Sequence, residues 1–168
     1  DSVSIENETA VKWYRLAPEQ GFDSDQFNLG LMYDNGTGVP QNNKTAVKWY
    51  RLAAEQGFAS AQFNLGLLYY CGRGVPQDNK TAVKWYRLAA EQGDGGAQYN
   101  LGFMYTKRQG VIQDNVYAHM WWNIAASSGN KGAVKNKDSV AKRRTPADMS
   151  TEQKLARECV RKKYKGVE

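Results

Sequence analysis

The chain has little of what most enzyme and metal chemistries require. Its 168 residues hold one histidine, His119, and two cysteines, Cys71 and Cys159. Without a CxxC or a Cys/His cluster, a zinc site is not expected. Two cysteines at unrelated positions do not make a disulfide framework. No apolar run approaches the about 20 residues that span a bilayer. The opening DSVSIENET is polar and acidic, which excludes a leader pattern within it. No glycine-rich stretch sits between a strand pattern and a helix, so GDGG at 93–96 reads as a turn rather than a phosphate cradle. No cofactor and no metal are expected.

What the chain does have is a repeat. KTAVKWYRLAAEQG occupies 44–57 and recurs unchanged at 80–93. Looser copies are ETAVKWYRLAPEQG at 8–21 and VYAHMWWNIAASSG at 116–129. Trp13, Trp49, Trp85 and Trp121 therefore recur every 36 residues. A fixed period of this size marks a stack of supersecondary units, each too small to bury its own apolar face.

Each period holds two helical patterns. One is typified by AQFNLGLLY at 61–69 and the other is the Trp-bearing segment. In the latter, Ala46, Val47, Tyr50, Ala53 and Ala54 follow i, i+1, i+4, i+7, i+8. Trp49 and Leu52 are expected to widen that buried stripe, and Lys48, Arg51 and Glu55 to solvate its back. Gly57 should stop the helix. The loops DNGTGVPQNN, YCGRGVPQDN and TKRQGVIQDN share Gly38, Gly74 and Gly110, and Asn42, Asp78 and Asp114 fall at N-cap positions. Arg108 replaces Gly36 and Gly72, and Ile112 replaces the loop proline. The turn of that copy is expected to differ in detail. Pro18 makes the first copy degenerate, and Asp1 reads as a truncation point or as an edge covered by something else.

After Gly129 the period ends. Residues 131–168 hold 12 Lys and Arg against 5 Asp and Glu, whereas the repeats before them are near neutral. Lys131 to Arg144 reads as a polar helix retaining Ala133–Val134 and Val140–Ala141. Thr145-Pro146 breaks it, and Ser150 or Thr151 caps a last helix running to about Tyr164. The domain reading is therefore repeats over 1–130, with a partial first repeat at 1–21, and basic capping helices over 131–168.

The unit AQFNLGLLYYCGRGVPQDNKTAVKWYRLAAEQG resembles the Sel-1-like repeats, relatives of the tetratricopeptide repeats. Asn64-Leu65-Gly66, Tyr69, Gly72, Gly74-Val75-Pro76, Ala82, Trp85-Tyr86 and Ala89-Ala90 carry the likeness. The ending, from Ala118 to Trp122 and through TPADMSTEQKLARECVRKKYKG, is similar to that of many bacterial members. The resemblance implies an all-α, right-handed α-α superhelix of antiparallel helix pairs, acting as a protein-binding adaptor without catalysis. By that likeness the first helices line a concave surface. It falls on Phe27, Asn28, Leu31 and Asp34, on Phe63, Asn64, Leu67 and Tyr70, and on Tyr99, Asn100, Phe103 and Thr106.

On that surface, Asn28, Asn64 and Asn100 would form a ladder able to donate to and accept from an extended peptide. The competing reading has each Asn holding a neighbouring backbone. The expected partner is a protein or peptide, or a second copy of the chain filling the groove or meeting its N-terminal edge.

Two other functional classes have partial sequence signals. Ser128-Gly129-Asn130-Lys131 has the SxxK spacing of penicillin-recognising serine enzymes, which would make the chain a hydrolase of β-lactams or peptidoglycan fragments. It spans a helix stop and lacks the further motifs of those enzymes. Lys142-Arg143-Arg144 and Arg161-Lys162-Lys163 could meet nucleic acid or an anionic membrane, but specific nucleic-acid reading is not expected without a stacking platform. The compartment stays open between periplasmic or secreted and cytoplasmic.

Overall fold

The computed structural model describes residues 23–142, 145–148, 150, 151 and 154. The partial first repeat, the Arg161-Lys162-Lys163 cluster and Cys159 fall outside these residues. Seven helices of similar length are found among them: α1 (Asp23–Asn35), α2 (Asn43–Glu55), α3 (Ala59–Cys71), α4 (Asn79–Glu91), α5 (Gly95–Lys107), α6 (Asn115–Ser127) and α7 (Lys131–Ala141). The fold class is the expected all-α solenoid of antiparallel helix pairs.

The chain forms two compact units, Asp1–Asp94 and Gly95–Glu168. In the first, α1 packs on α2, α2 on α3, and α3 on α4. In the second, α5 packs on α6 and α6 on α7.

Local chemistry sets the ends of the Trp-bearing helices. The Asn42 side chain accepts from the Thr45 backbone N–H, Asp78 from Lys80 and Thr81, and Asp114 from Val116 and Tyr117. Each satisfies donors that an α-helix leaves unpaired. At the other end Gly57, Gly93 and Gly129 take φ near +90°, and the chain reverses there. GDGG is divided by this geometry: Gly93 turns, whereas Gly95 and Gly96 already belong to the first turn of α5.

The loop of the third copy does not differ as its sequence suggests. Arg108 adopts φ +57°, beside +71° and +69° at Gly36 and Gly72. The closing bond is also kept: Asp114 N–H donates to the Tyr105 carbonyl, as Asn42 does to Tyr33 and Asp78 to Tyr69. The repeat's packing imposes the left-handed conformation on a side chain that disfavours it. Arg108→Gly should therefore stabilise the protein by about 1 kcal/mol, after the unfolded-state entropy of glycine is set against the relieved strain. A melting temperature raised by about 2–4 °C would show it.

The buried residues of α2 are Ala46, Val47, Tyr50, Ala53 and Ala54, and those of α4 are their counterparts, as the spacing predicts. The edges of the stripe need correction. Leu52 and Leu88 are 44% and 37% exposed, and Trp49 and Trp85 are only half-buried. Tyrosine, not tryptophan, fills the centre: Tyr50 and Tyr86 are 0% and 1% exposed.

Glycine on the facing helix makes room for those rings. A Cβ on Gly66 would stand 2.8 Å from Tyr86 Cδ1, Gly30 meets the Tyr50 ring in the same way, and Gly102 meets the Trp122 indole. These are close helix approaches that any side chain would push apart.

In the second unit α7 buries Ala133 and Val140, while Val134 is exposed. The cap of the following segment is Thr145, not Ser150 or Thr151. The Asp148 N–H donates to Thr145 Oγ1, the Thr145 N–H donates to Asp148 Oδ2, and 146–148, 150, 151 and 154 are helical. Thr-Pro-Ala-Asp is a capping box with proline at the first helical position, so the proline starts a helix as well as ending one.

Candidate functional site

The predicted ligand face is distinct in burial. Phe27, Asn28 and Leu31 on α1, Phe63, Asn64, Leu67 and Tyr70 on α3, and Tyr99, Asn100 and Phe103 on α5 are all half-buried. The opposite faces hold Leu29–Gly30, Leu65–Gly66 and Leu101–Gly102, all sealed. The helices thus present a stripe that is neither core nor ordinary surface.

Part of this stripe also supports the fold. In the first unit the Phe27 ring lies 5.8 Å from Tyr50 and 5.0 Å from Phe58, and Phe63 lies 5.9 Å from Tyr86. Phe27 and Leu31 pack against the buried cluster of Tyr50, Leu65 and Leu68. In the second unit Tyr99 is engaged by its neighbours. Its hydroxyl accepts from Asn136 Nδ2 at 3.2 Å, and its carbonyl accepts from Trp122 Nε1 at 3.0 Å. Lys107 lies 5.9 Å from the Phe103 ring centre.

A polar node sits on the stripe of the first unit. Tyr50 donates its hydroxyl to Asp34 Oδ2 at 3.5 Å and accepts a side-chain hydrogen bond from Asn64. Asp34 is ion-paired with Arg73 from the loop after α3. Burial first, then the Asp34 carboxylate, pushes the Tyr50 phenol above its ordinary range, so it stays protonated and can donate. Asn64 therefore spends part of its amide on the fold.

A second set of recurring amides, buried in the fold, lies on glutamine. Gln26, Gln62 and Gln98 are at most 4% exposed and stand 36 residues apart. Gln62 Nε2 donates to the Ala54 carbonyl at 3.0 Å, and Gln62 Oε1 accepts from Gln92 Nε2 at 2.8 Å. Gln56 donates to Gln26 in the same way, at 2.6 Å. Sequence reasoning singled out asparagine and passed over these residues. The signal was available: a polar residue at every repeat, three positions before the packed Leu-Gly pair. Gln62→Leu should cost about 1–3 kcal/mol, because it removes both side-chain hydrogen bonds that the sealed amide makes, to the Ala54 carbonyl and from Gln92. Urea denaturation of the two proteins measures it.

The other candidates find ordinary places. Ser128 ends α6 and donates to the Ile124 carbonyl at 3.4 Å, while Lys131 opens α7 and is exposed. His119 is buried in α6. Among the described residues no group of three or more His, Cys, Asp or Glu is gathered as a metal would require, and no helix is long and apolar enough to cross a membrane.

The repeat model of one family matches residues 3–22, 24–58, 59–94 and 96–130, each match taking in a helix pair where both helices are described. The chain belongs to the Sel1 repeat family. Members are in general protein-interaction scaffolds.

Among solved structures, the chain is 46% identical to a protective antigen of uropathogenic Escherichia coli strains that displays an SLR fold. That match has a TM-score of 0.71 and covers 73% of this chain and 26% of the antigen. It is 44% identical to a Sel1 repeat protein from Oxalobacter formigenes, with a TM-score of 0.71, covering 75% of this chain and 50% of that one. Cysteine rich protein B of Helicobacter pylori shares the fold at 20% identity and a TM-score of 0.63, covering 79% of this chain and 96% of that one. The chain thus spans half or less of the two structures with the higher identities. No curated protein matches it.

Proposed function

We propose that this Sel1-repeat chain is a scaffold that holds an extended segment of a partner protein against the half-buried stripes of its first helices. In the first unit these are Phe27, Asn28, Leu31, Phe63, Asn64, Leu67 and Tyr70. On α5 of the second unit the equivalent stripe is Tyr99, Asn100 and Phe103. The observation that carries the reading is the uniform half-burial of all ten positions beside sealed opposite faces. Apolar side chains left half open on a rigid helix lose their remaining water when a partner covers them. The asparagines hold the peptide groups of that segment, since an amide both donates and accepts. On the same reading, residues 131–168 form a basic helical cap that ends the stack, with α7 as its first element.

The reading is tested by site-resolved crosslinking. A photoreactive phenylalanine analogue replaces Leu67 in one variant and Lys135, on the exposed surface of α7, in another. A partner crosslinked in cells from position 67 and lost on Asn28→Ala with Asn64→Ala supports it, provided both variants melt as the parent does. Crosslinks from 135 alone, or only to a second copy of the chain, would replace it.

A further inference from the structure

The back of the Trp-bearing helices was expected to be only a solvated face. Its composition is more particular. On α2, Lys44, Lys48 and Arg51 fall at i, i+4, i+7 and are all exposed, and α4 repeats this with Lys80, Lys84 and Arg87. The acids on the same face are Glu55 and Glu91, so six cations stand against two anions. Lys44, Lys48, Lys80 and Lys84 form no ion pair with any described residue. Arg51 is steadied by donating to the Tyr69 hydroxyl at 2.6 Å, and Lys84 lies 5.5 Å from the Trp85 ring centre.

Beside the lysines runs an apolar row. Four large hydrophobic residues are exposed among the described residues, and two of them are Leu52 and Leu88, at the same position of this face. Trp49 and Trp85, half-buried, flank them. Both helices bury identical residues against their neighbours in one compact unit, so they turn equivalent faces outward. Their starts are tied by the intervening loop, in which Gly74 lies against the backbone of Asn43 and Lys44.

We propose that this face docks on an anionic lipid surface. Exposed lysines that make no ion pair among the described residues are drawn to phosphate headgroups. Leucine beside half-buried tryptophan suits the headgroup–acyl boundary, where amphipathic rings settle. A nucleic acid or a purely acidic polypeptide would use the same cations, but it would leave uncovered the exposed leucine that α2 and α4 of the first unit both carry. The lipid face lies on the second helices and the stripe assigned to a protein partner on the first helices, so the two share no residue.

Co-sedimentation with vesicles tests this. The chain should bind vesicles of phosphatidylcholine and phosphatidylglycerol in equal parts, should not bind phosphatidylcholine alone, and should release as salt is raised. Lys44→Gln, Lys48→Gln, Lys80→Gln and Lys84→Gln together should weaken binding by at least about tenfold. Leu52→Ser with Leu88→Ser should weaken it by about threefold or more at unchanged charge. The six positions are exposed, and melting curves like the parent's will show that the fold is kept.

Failure of the parent chain to bind the mixed vesicles overturns the proposal. So does full binding by the four-lysine variant with loss in a Lys142→Gln, Arg161→Gln, Lys162→Gln, Lys163→Gln tail variant. Insensitivity to the leucine changes, with tighter binding to polyglutamate than to vesicles, would make the partner an acidic polypeptide instead.

Discussion

Tyr86→Ala should destabilise the protein by about 3–5 kcal/mol, among the largest effects expected of a single side-chain truncation in the first unit. The ring is 1% exposed, meets Phe63 at 5.9 Å, and fills the space left by Gly66 on the facing helix. A helix on either side of such a ring cannot collapse into the gap without breaking its register with the rest of the stack, so most of the cavity remains. Urea denaturation followed by circular dichroism measures the loss. Trp85→Ala, one residue away and more conspicuous in the sequence, should cost less, because its ring is already half in water. If the tryptophan proved the costlier of the two, the placement of the core centre on tyrosine would be wrong. Removing Tyr86 also takes away the ring packed on Phe63, so on the proposed function partner binding along α3 should fall with stability.

The second large effect belongs to the other half of the same contact and carries a change of sign. Gly66→Ala places a Cβ 2.8 Å from Tyr86 Cδ1 and 3.3 Å from the Ala82 carbonyl oxygen. The ring is packed on all sides and cannot yield cheaply, so a loss of about 1–3 kcal/mol is expected. In a Tyr86→Ala background the ring contact is gone. Alanine then replaces glycine in a helix interior, where it is favoured by about 1 kcal/mol, and Gly66→Ala should become neutral or stabilising. A double-mutant cycle by denaturant titration reads the coupling directly. A loss of equal size in both backgrounds would mean that Gly66 serves some need other than the Tyr86 ring.

Sequence and structure divide between contacts along the chain and contacts across it. The period, the two helices per period, the N-caps at Asn42, Asp78 and Asp114, and the turn glycines follow from short-range chemistry. A side chain capping its own helix, or a backbone at positive φ, involves residues within a few positions of one another. The apolar spacing of α2 likewise named its buried face correctly, since one helix has one face to bury.

What the sequence left open depended on contacts between repeats. Whether Trp49 or Tyr50 takes the centre, and whether Leu52 is covered, is decided by which helices arrive and how closely. That closeness is set by glycines more than a turn of chain away. Arg108 reads as a departure, but the closing bond from Asp114 to Tyr105 holds its loop in the common conformation. Asn64 and Gln62 look equally suited to a ladder. Only packing shows that Gln62 is sealed between α2 and the end of α4, while Asn64 stays half open on the stripe.

By itself, then, the repeated sequence determined the fold class, the helix ends and the inward face of each Trp-bearing helix. Tertiary structure alone decided which ring is the core, which amide is structural and which faces remain available to partners. Helix ends and faces are properties of consecutive residues, whereas burial is a property of what packs on top of them.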